Sequence, residues 1–126
     1  MIKKRVIDKK RIRRIDGGFS FIPHRFLTDG FVSALASGEL LLYFFLVLAG
    51  DKNGLSFYSY DTICNLLRMP LEKYLQARDA LIKCDLIAFD GTIFQVLELP
   101  DATPASRSRR SSLDGLVRTL LKEVPA

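Results

Sequence analysis

Cysteine is scarce in this chain: there are two, Cys64 and Cys84. Two thiols do not make a disulfide framework, and both fall inside helical apolar patterns. They read as small buried hydrophobes in a reducing cytosol. Histidine is scarcer still, with His24 alone between Pro23 and Arg25. Two Cys and one His do not readily supply the usual four zinc ligands, so no metal site is expected. His24 has no Ser or Cys nucleophile pattern nearby and reads as structural or surface. The carboxylates are scattered singly, without paired or metal-ligand spacing. Gly17-Gly18 is too little for a phosphate-cradling loop. Tyr58, Tyr60 and Tyr74 fall at strand, cap and helix positions, where core or rim roles are expected. No catalytic constellation emerges, so neither an enzyme nor a cofactor is expected.

Long hydrophobic runs are also missing. The apolar stretch Leu40–Ala49 holds 10 residues, half of the roughly 20 that a spanning helix needs. The basic N-terminus is followed by no apolar signal region. A cytoplasmic protein is expected, without a membrane partner.

What the chain does have is 126 residues that are 48% apolar, enough for one domain with a core plus tails. Its net charge of +5 is unevenly placed. Residues 1–15 carry eight Lys or Arg (Lys3, Lys4, Arg5, Lys9, Lys10, Arg11, Arg13, Arg14) against Asp8 alone, a net +7. Residues 17–100 carry six Lys or Arg against nine acids, a net −3. A smaller basic cluster follows at Arg107, Arg109 and Arg110. A polyanionic partner is therefore suggested by the tails and not by the domain.

The pattern divides the chain into a basic flexible arm (1–16), a domain (17–100), a polar linker (101–112) and an amphipathic segment (113–126). Charges as dense as those of the arm repel, so it is expected to be loosely extended. Phe19–Ile22 reads as a short strand ahead of Pro23. Residues 24–35 hold apolar positions at near-helical spacing, weakened by Gly30, and fit one or two short helices. Ser37 is placed to cap a helix Glu39–Ala49, which is apolar nearly all round and therefore expected at the centre of the fold. Asn53-Gly54 marks a turn, and Leu55–Tyr58 a short strand. Ser59 reads as the cap of a helix Tyr60–Leu67 with Ile63, Leu66 and Leu67 facing inward. Pro70 suits the first turn of another helix, Leu71–Cys84, with Tyr74, Ala77 and Leu81 on its inner face. Leu86–Phe89 and Ile93–Leu99 read as two strands joined by an Asp90-Gly91 hairpin turn. Beyond the polar linker, Leu113, Leu116, Val117, Leu120, Leu121 and Val124 form one apolar stripe. That segment is marginal as a helix alone and should pack on its own domain, a second copy or another protein.

The order from Glu39 is helix, short strand, helix, tight turn, helix, two-stranded hairpin. It resembles a winged helix-turn-helix, an α+β, mainly α fold with a two-stranded wing. Leu67 and Met69 match the apolar residues around the turn, and Tyr74, Ala77 and Leu81 match the inner face of a recognition helix. "CDLIAFDG" looks like the exit into the first wing strand, with Asp85 where Gly is common. "FSFIPHRFLTDG…ELLLYFFLVLA" is similar to the start of winged-helix domains of plasmid and phage replication initiators and DnaD-type primosomal proteins. The resemblance covers residues 19–99. Arg68 departs from it where Gly or Ala is usual, and Pro70 replaces a Ser or Thr cap. The wing tip Asp90-Gly91-Thr92 carries no cation.

The resemblance implies sequence-selective binding of double-stranded DNA in transcription regulation, or in replication or mobilisation of a bacterial or mobile-element replicon. Glu72 would accept from cytosine N4, Lys73 would reach guanine or a phosphate, and Gln76 would pair with adenine. Arg78 and Lys83 would meet phosphates, as would the eight cations of the arm, and Arg68 is a further DNA-binding candidate. The alternative is a winged-helix adaptor that docks or dimerises through Leu113, Leu116, Val117, Leu120 and Leu121.

Overall fold

The computed structural model describes residues 2–104. It is an α+β, mainly helical fold. Two short helices, α1 (Arg25–Thr28) and α2 (Phe31–Ala34), precede α3 (Ser37–Ala49), β1 (Leu55–Ser56), α4 (Tyr60–Leu67), α5 (Leu71–Lys83), β2 (Ile87–Phe89) and β3 (Phe94–Val96). The strands make one antiparallel sheet in the order β1-β3-β2. The hairpin is thus joined by a third strand, with Ser56 opposite Phe94 and Leu55 opposite Gln95.

The core gathers residues from all five helices and from the β2–β3 hairpin region. Phe26 and Phe31 come from α1 and α2, Leu42, Tyr43 and Leu46 from α3, and Ile63 from α4. Tyr74, Ala77 and Leu81 of α5 meet Leu86, Ile87 and Phe94 of the sheet region. The Phe26 ring stacks on Tyr43 with centroids 4.8 Å apart, and Phe89 stacks on Phe94 at 4.2 Å. Burial raises the phenol pKa of Tyr43.

Turns fix the order of these pieces. The Asp51 carboxylate accepts from the N–H groups of Asn53 (2.8 Å) and Leu55 (3.0 Å), and these bonds hold its pKa below the usual carboxylate range. Gly54 follows at φ +81°, and a Cβ there would lie 2.6 Å from the Val96 carbonyl oxygen. Only glycine lets the turn approach β3 this closely, and the Gly54 carbonyl then accepts from the Val96 N–H at 2.9 Å.

Several expectations need correction. Phe19–Ile22 forms no strand, and Phe19 and Phe21 are exposed. The strand expected over Leu55–Tyr58 stops at Ser56. Helix α3 begins at Ser37 itself, and the cap position falls to Ala36, whose N–H donates to the Glu39 carboxylate at 3.2 Å. Ser59 does stand at the N-cap of α4, but its hydroxyl pairs with that of Thr62 at 2.8 Å. Leu66 is 59% exposed instead of facing inward, and Leu67 is half-buried. Neither Cys64 nor Cys84 is in a disulfide, and both are half-buried, not fully enclosed. The all-round apolar α3 is not enclosed either: Leu41, Phe44 and Leu48 are exposed. Residues 105–112 of the linker and the segment 113–126 lie outside the described residues, and with them the expected C-terminal helix.

Candidate nucleic-acid interface

Helix α5 is reached from α4 through a tight turn. Arg68 closes α4 in the left-handed region (φ 52°, ψ 47°), and the Met69 N–H donates back to the Cys64 carbonyl at 3.0 Å. Pro70 then starts α5 with no side-chain cap. This left-handed residue costs a non-glycine side chain some strain but reverses the chain in one step.

The inner line of α5 is anchored by Tyr74, Ala77 and Leu81, all buried. Burial raises the Tyr74 phenol pKa, and the neighbouring Arg78 charge opposes that rise. One line lies opposite and a second lies beside the inner one, as helical spacing dictates. Glu72, Gln76, Asp79 and Lys83 follow one another on the first, and all four are exposed. Leu71, Leu75, Arg78 and Ile82 follow one another on the second, where the three aliphatic residues are also exposed. Lys73 is exposed at the flank of the first turn. The exposed surface therefore mixes polar, acidic and apolar groups, and the acids Glu72 and Asp79 take the first and third places of the polar line.

Arg78 does not project freely. Its guanidinium bonds the Asp79 carboxylate at 3.1 Å and lies over the rings of Phe89 (5.4 Å) and Tyr74 (5.9 Å). These contacts tie α5 to β2. Helical spacing sets Leu75 and Ile82 beside the inner face, and both are exposed together with Leu71.

Beside α5, the β2–β3 hairpin turns at Asp90-Gly91, with Gly91 at φ +100°. The Asp90 carboxylate accepts from the N–H groups of Thr92 (2.8 Å) and Ile93 (2.7 Å), and these bonds lower its pKa. A carboxylate with a lowered folded pKa adds stability above its unfolded value, and that contribution is lost as pH falls through the folded value. Amide exchange at Thr92 and Ile93 is therefore expected to quicken selectively below the usual carboxylate range. In Asp90→Asn the same acidic step should be absent. Equal pH profiles for both proteins would show that this carboxylate does not hold the turn.

The arm carries its cations on the surface. Lys9–Arg11 form one 3-10 turn, capped by the Asp8 carboxylate, which accepts from the Lys10 N–H at 3.0 Å. Residues 2–16 are exposed throughout. Lys3, Lys4, Arg5, Lys9, Lys10, Arg11, Arg13 and Arg14 are thus open to solvent, but none belongs to the core that positions α5.

An open groove of about 710 Å³ lies elsewhere, between Phe19–Pro23, the end of α3, the Asp51–Gly54 turn and Val96–Leu99. Its Asp51 carboxylate already holds the turn. Among the described residues no three His, Cys, Asp or Glu are grouped to hold a metal ion, and no helix is long and apolar enough to cross a membrane. Comparison with protein-family models, curated proteins and solved structures found no match.

Proposed function

We propose that this chain is a double-stranded DNA-binding protein of winged helix-turn-helix type, with α4 and α5 as the helix-turn-helix and β2–β3 as the wing. The observation that carries the reading is the α4–turn–α5 unit, with its inner line buried and Glu72, Lys73 and Gln76 exposed at the start of α5. The strand order β1-β3-β2 is compatible with a wing laid beside such a unit. Arg68 and Asp85 add support. They are the two described non-glycine residues at positive φ, and they stand where the family pattern favours a small residue or glycine.

In this reading Glu72, Lys73 and Gln76 meet base edges, and Lys83 and Arg68 meet phosphates. Arg78 keeps α5 against the wing strand. The exposed arm cations supply the sequence-independent attraction, and their removal has the largest expected effect. The protein would serve transcription control, or replication or mobilisation of a bacterial or mobile-element replicon, associated with the nucleoid in the cytoplasm.

Binding of the whole chain to random duplex DNA, followed by fluorescence anisotropy across a salt titration, tests this. Micromolar or tighter affinity at about 50 mM salt is expected. Gln76→Ala should lower preference for the selected site about 10-fold while leaving non-specific affinity unchanged. No affinity even at low salt would overturn the reading. An adaptor role would then be favoured by the exposed Leu71, Leu75, Ile82 line, which has no use in a phosphate-lined groove.

A further inference from the structure

We infer that residues 113–124 dock against the outward face of α3, covering Leu41, Phe44 and Leu48. From Leu40 to Ala49 this helix carries no charged side chain. A helix apolar all round belongs in an interior. Here Leu42, Tyr43 and Leu46 turn into the core. Leu41, Phe44 and Leu48 follow at i, i+3, i+7 on the other side and are exposed, Leu48 by 74%. Beside it the Phe45 ring meets the exposed Tyr58 edge-on at 5.2 Å. A contiguous apolar surface of this kind marks a contact.

The same chain holds a second apolar surface that needs a partner. Leu113, Leu116, Val117, Leu120, Leu121 and Val124 share one stripe at helical spacing. A helix of this length gains most of its stability from what its apolar face packs on. Two unmatched apolar faces on one chain can each remove the other from water.

The connection reaches. The guanidinium of Arg25 donates to the carbonyls of Leu99 (3.3 Å) and Pro100 (2.8 Å), which pins the outgoing chain to α1. The next residue, Phe26, lies 6.3 Å from Phe44, ring to ring. The outgoing chain is thus held to α1, whose Phe26 meets the middle residue of the patch. Residues 101–112 span up to about 40 Å when extended, whereas Leu41 to Leu48 covers about 10 Å of helix. A tether of this length presents the segment at roughly millimolar effective concentration. A second copy would have to match that from free solution, and this favours the chain's own segment as the occupant.

The test uses the full chain in three forms: unchanged, Leu48→Asp, and Leu116→Asp with Leu120→Asp. Hydrogen exchange across residues 113–124 is followed at two widely separated protein concentrations. About tenfold or greater protection is expected in the unchanged chain, independent of concentration and lost in both variants. As a second readout, the methyl signals of Leu41 and Leu48 should shift in the Leu116→Asp, Leu120→Asp chain, whose changes lie outside the described fold. Absent protection, protection that survives Leu48→Asp, or unshifted methyls would overturn the inference. Protection that grows with concentration would overturn it too, assigning the face to a second copy.

Discussion

Ile63→Ala is expected to lower the free energy of unfolding by about 3 kcal/mol, while Leu66→Ala, one turn further along α4, should change it by no more than about 0.5 kcal/mol. The two residues are both branched aliphatics on a helix of eight residues, and composition alone does not separate them. Position does. Ile63 is fully buried, in a cluster with Met69, Tyr74 and Leu81, so its truncation removes buried methyl groups and leaves a cavity that the neighbouring α5 can only partly fill. Leu66 already has most of its surface in water, so its truncation opens no cavity. Against a total stability of about 5–15 kcal/mol, the Ile63 loss is large. It should lower the melting temperature by about 12–24 °C for a domain of this size. Urea unfolding of both variants gives the comparison directly, with unchanged m-values confirming the same folded state. Comparable losses at the two sites would mean that α4 is rolled toward Leu66, and the placement of α5 beside it would have to be revised.

This pair of residues also shows what the sequence makes legible and what it withholds. The bounds of α4 follow from Ser59, Asp61 and the break at "RMP", and the inner line of α5 follows from Tyr74, Ala77 and Leu81 at helical spacing. The hairpin follows from Asp90-Gly91, because the turn is set by local backbone chemistry. Each of these is a short-range signal. Which of several apolar residues faces inward is decided by partners far along the chain, and there local reading fails. Leu66 looks inward by spacing, yet the core is filled by Ile63 from α4 and by α5. Phe19–Ile22 has strand composition, but it pairs with none of the three strands of the sheet, and a strand needs a ladder partner. Helix α3 looks central because it is apolar nearly all round, yet Leu41, Phe44 and Leu48 on one of its faces stay exposed. In the candidate interface, Glu72, Lys73, Gln76 and Lys83 are legible as the outer side of α5. The role of Arg78 is not, because it depends on Phe89, a residue of another element.

Removal of residues 1–15 is expected to weaken binding to duplex DNA about 100-fold or more near 100 mM salt, and almost equally for every sequence. The argument rests on where charge sits. The domain from residue 17 to 100 carries a net −3, and the polar line of α5 places Glu72 and Asp79 among its potential contacts. Such a surface approaching a phosphate-lined groove is repelled unless cations elsewhere compensate. The arm brings eight, with Asp8 the single acid among them. Each phosphate neutralised adds about 0.9 to the slope of log affinity against log salt, so loss of about six contacts should flatten that slope by about 5. The fold should be indifferent to the deletion, because residues 2–16 are exposed and contribute nothing to the core. Replacing the eight cations by glutamine at constant length separates charge from chain length and should reproduce the loss. The contrast with Gln76→Ala then becomes informative. The arm variant should lose affinity and salt dependence together while its ranking of sites is unchanged, whereas Gln76→Ala should alter the ranking and leave the salt slope as it was. A salt slope unchanged by loss of the arm would mean that its cations touch no phosphate, and the counterweight to Glu72 and Asp79 would have to come from Arg68, Lys73, Lys83 or the cluster at Arg107, Arg109 and Arg110.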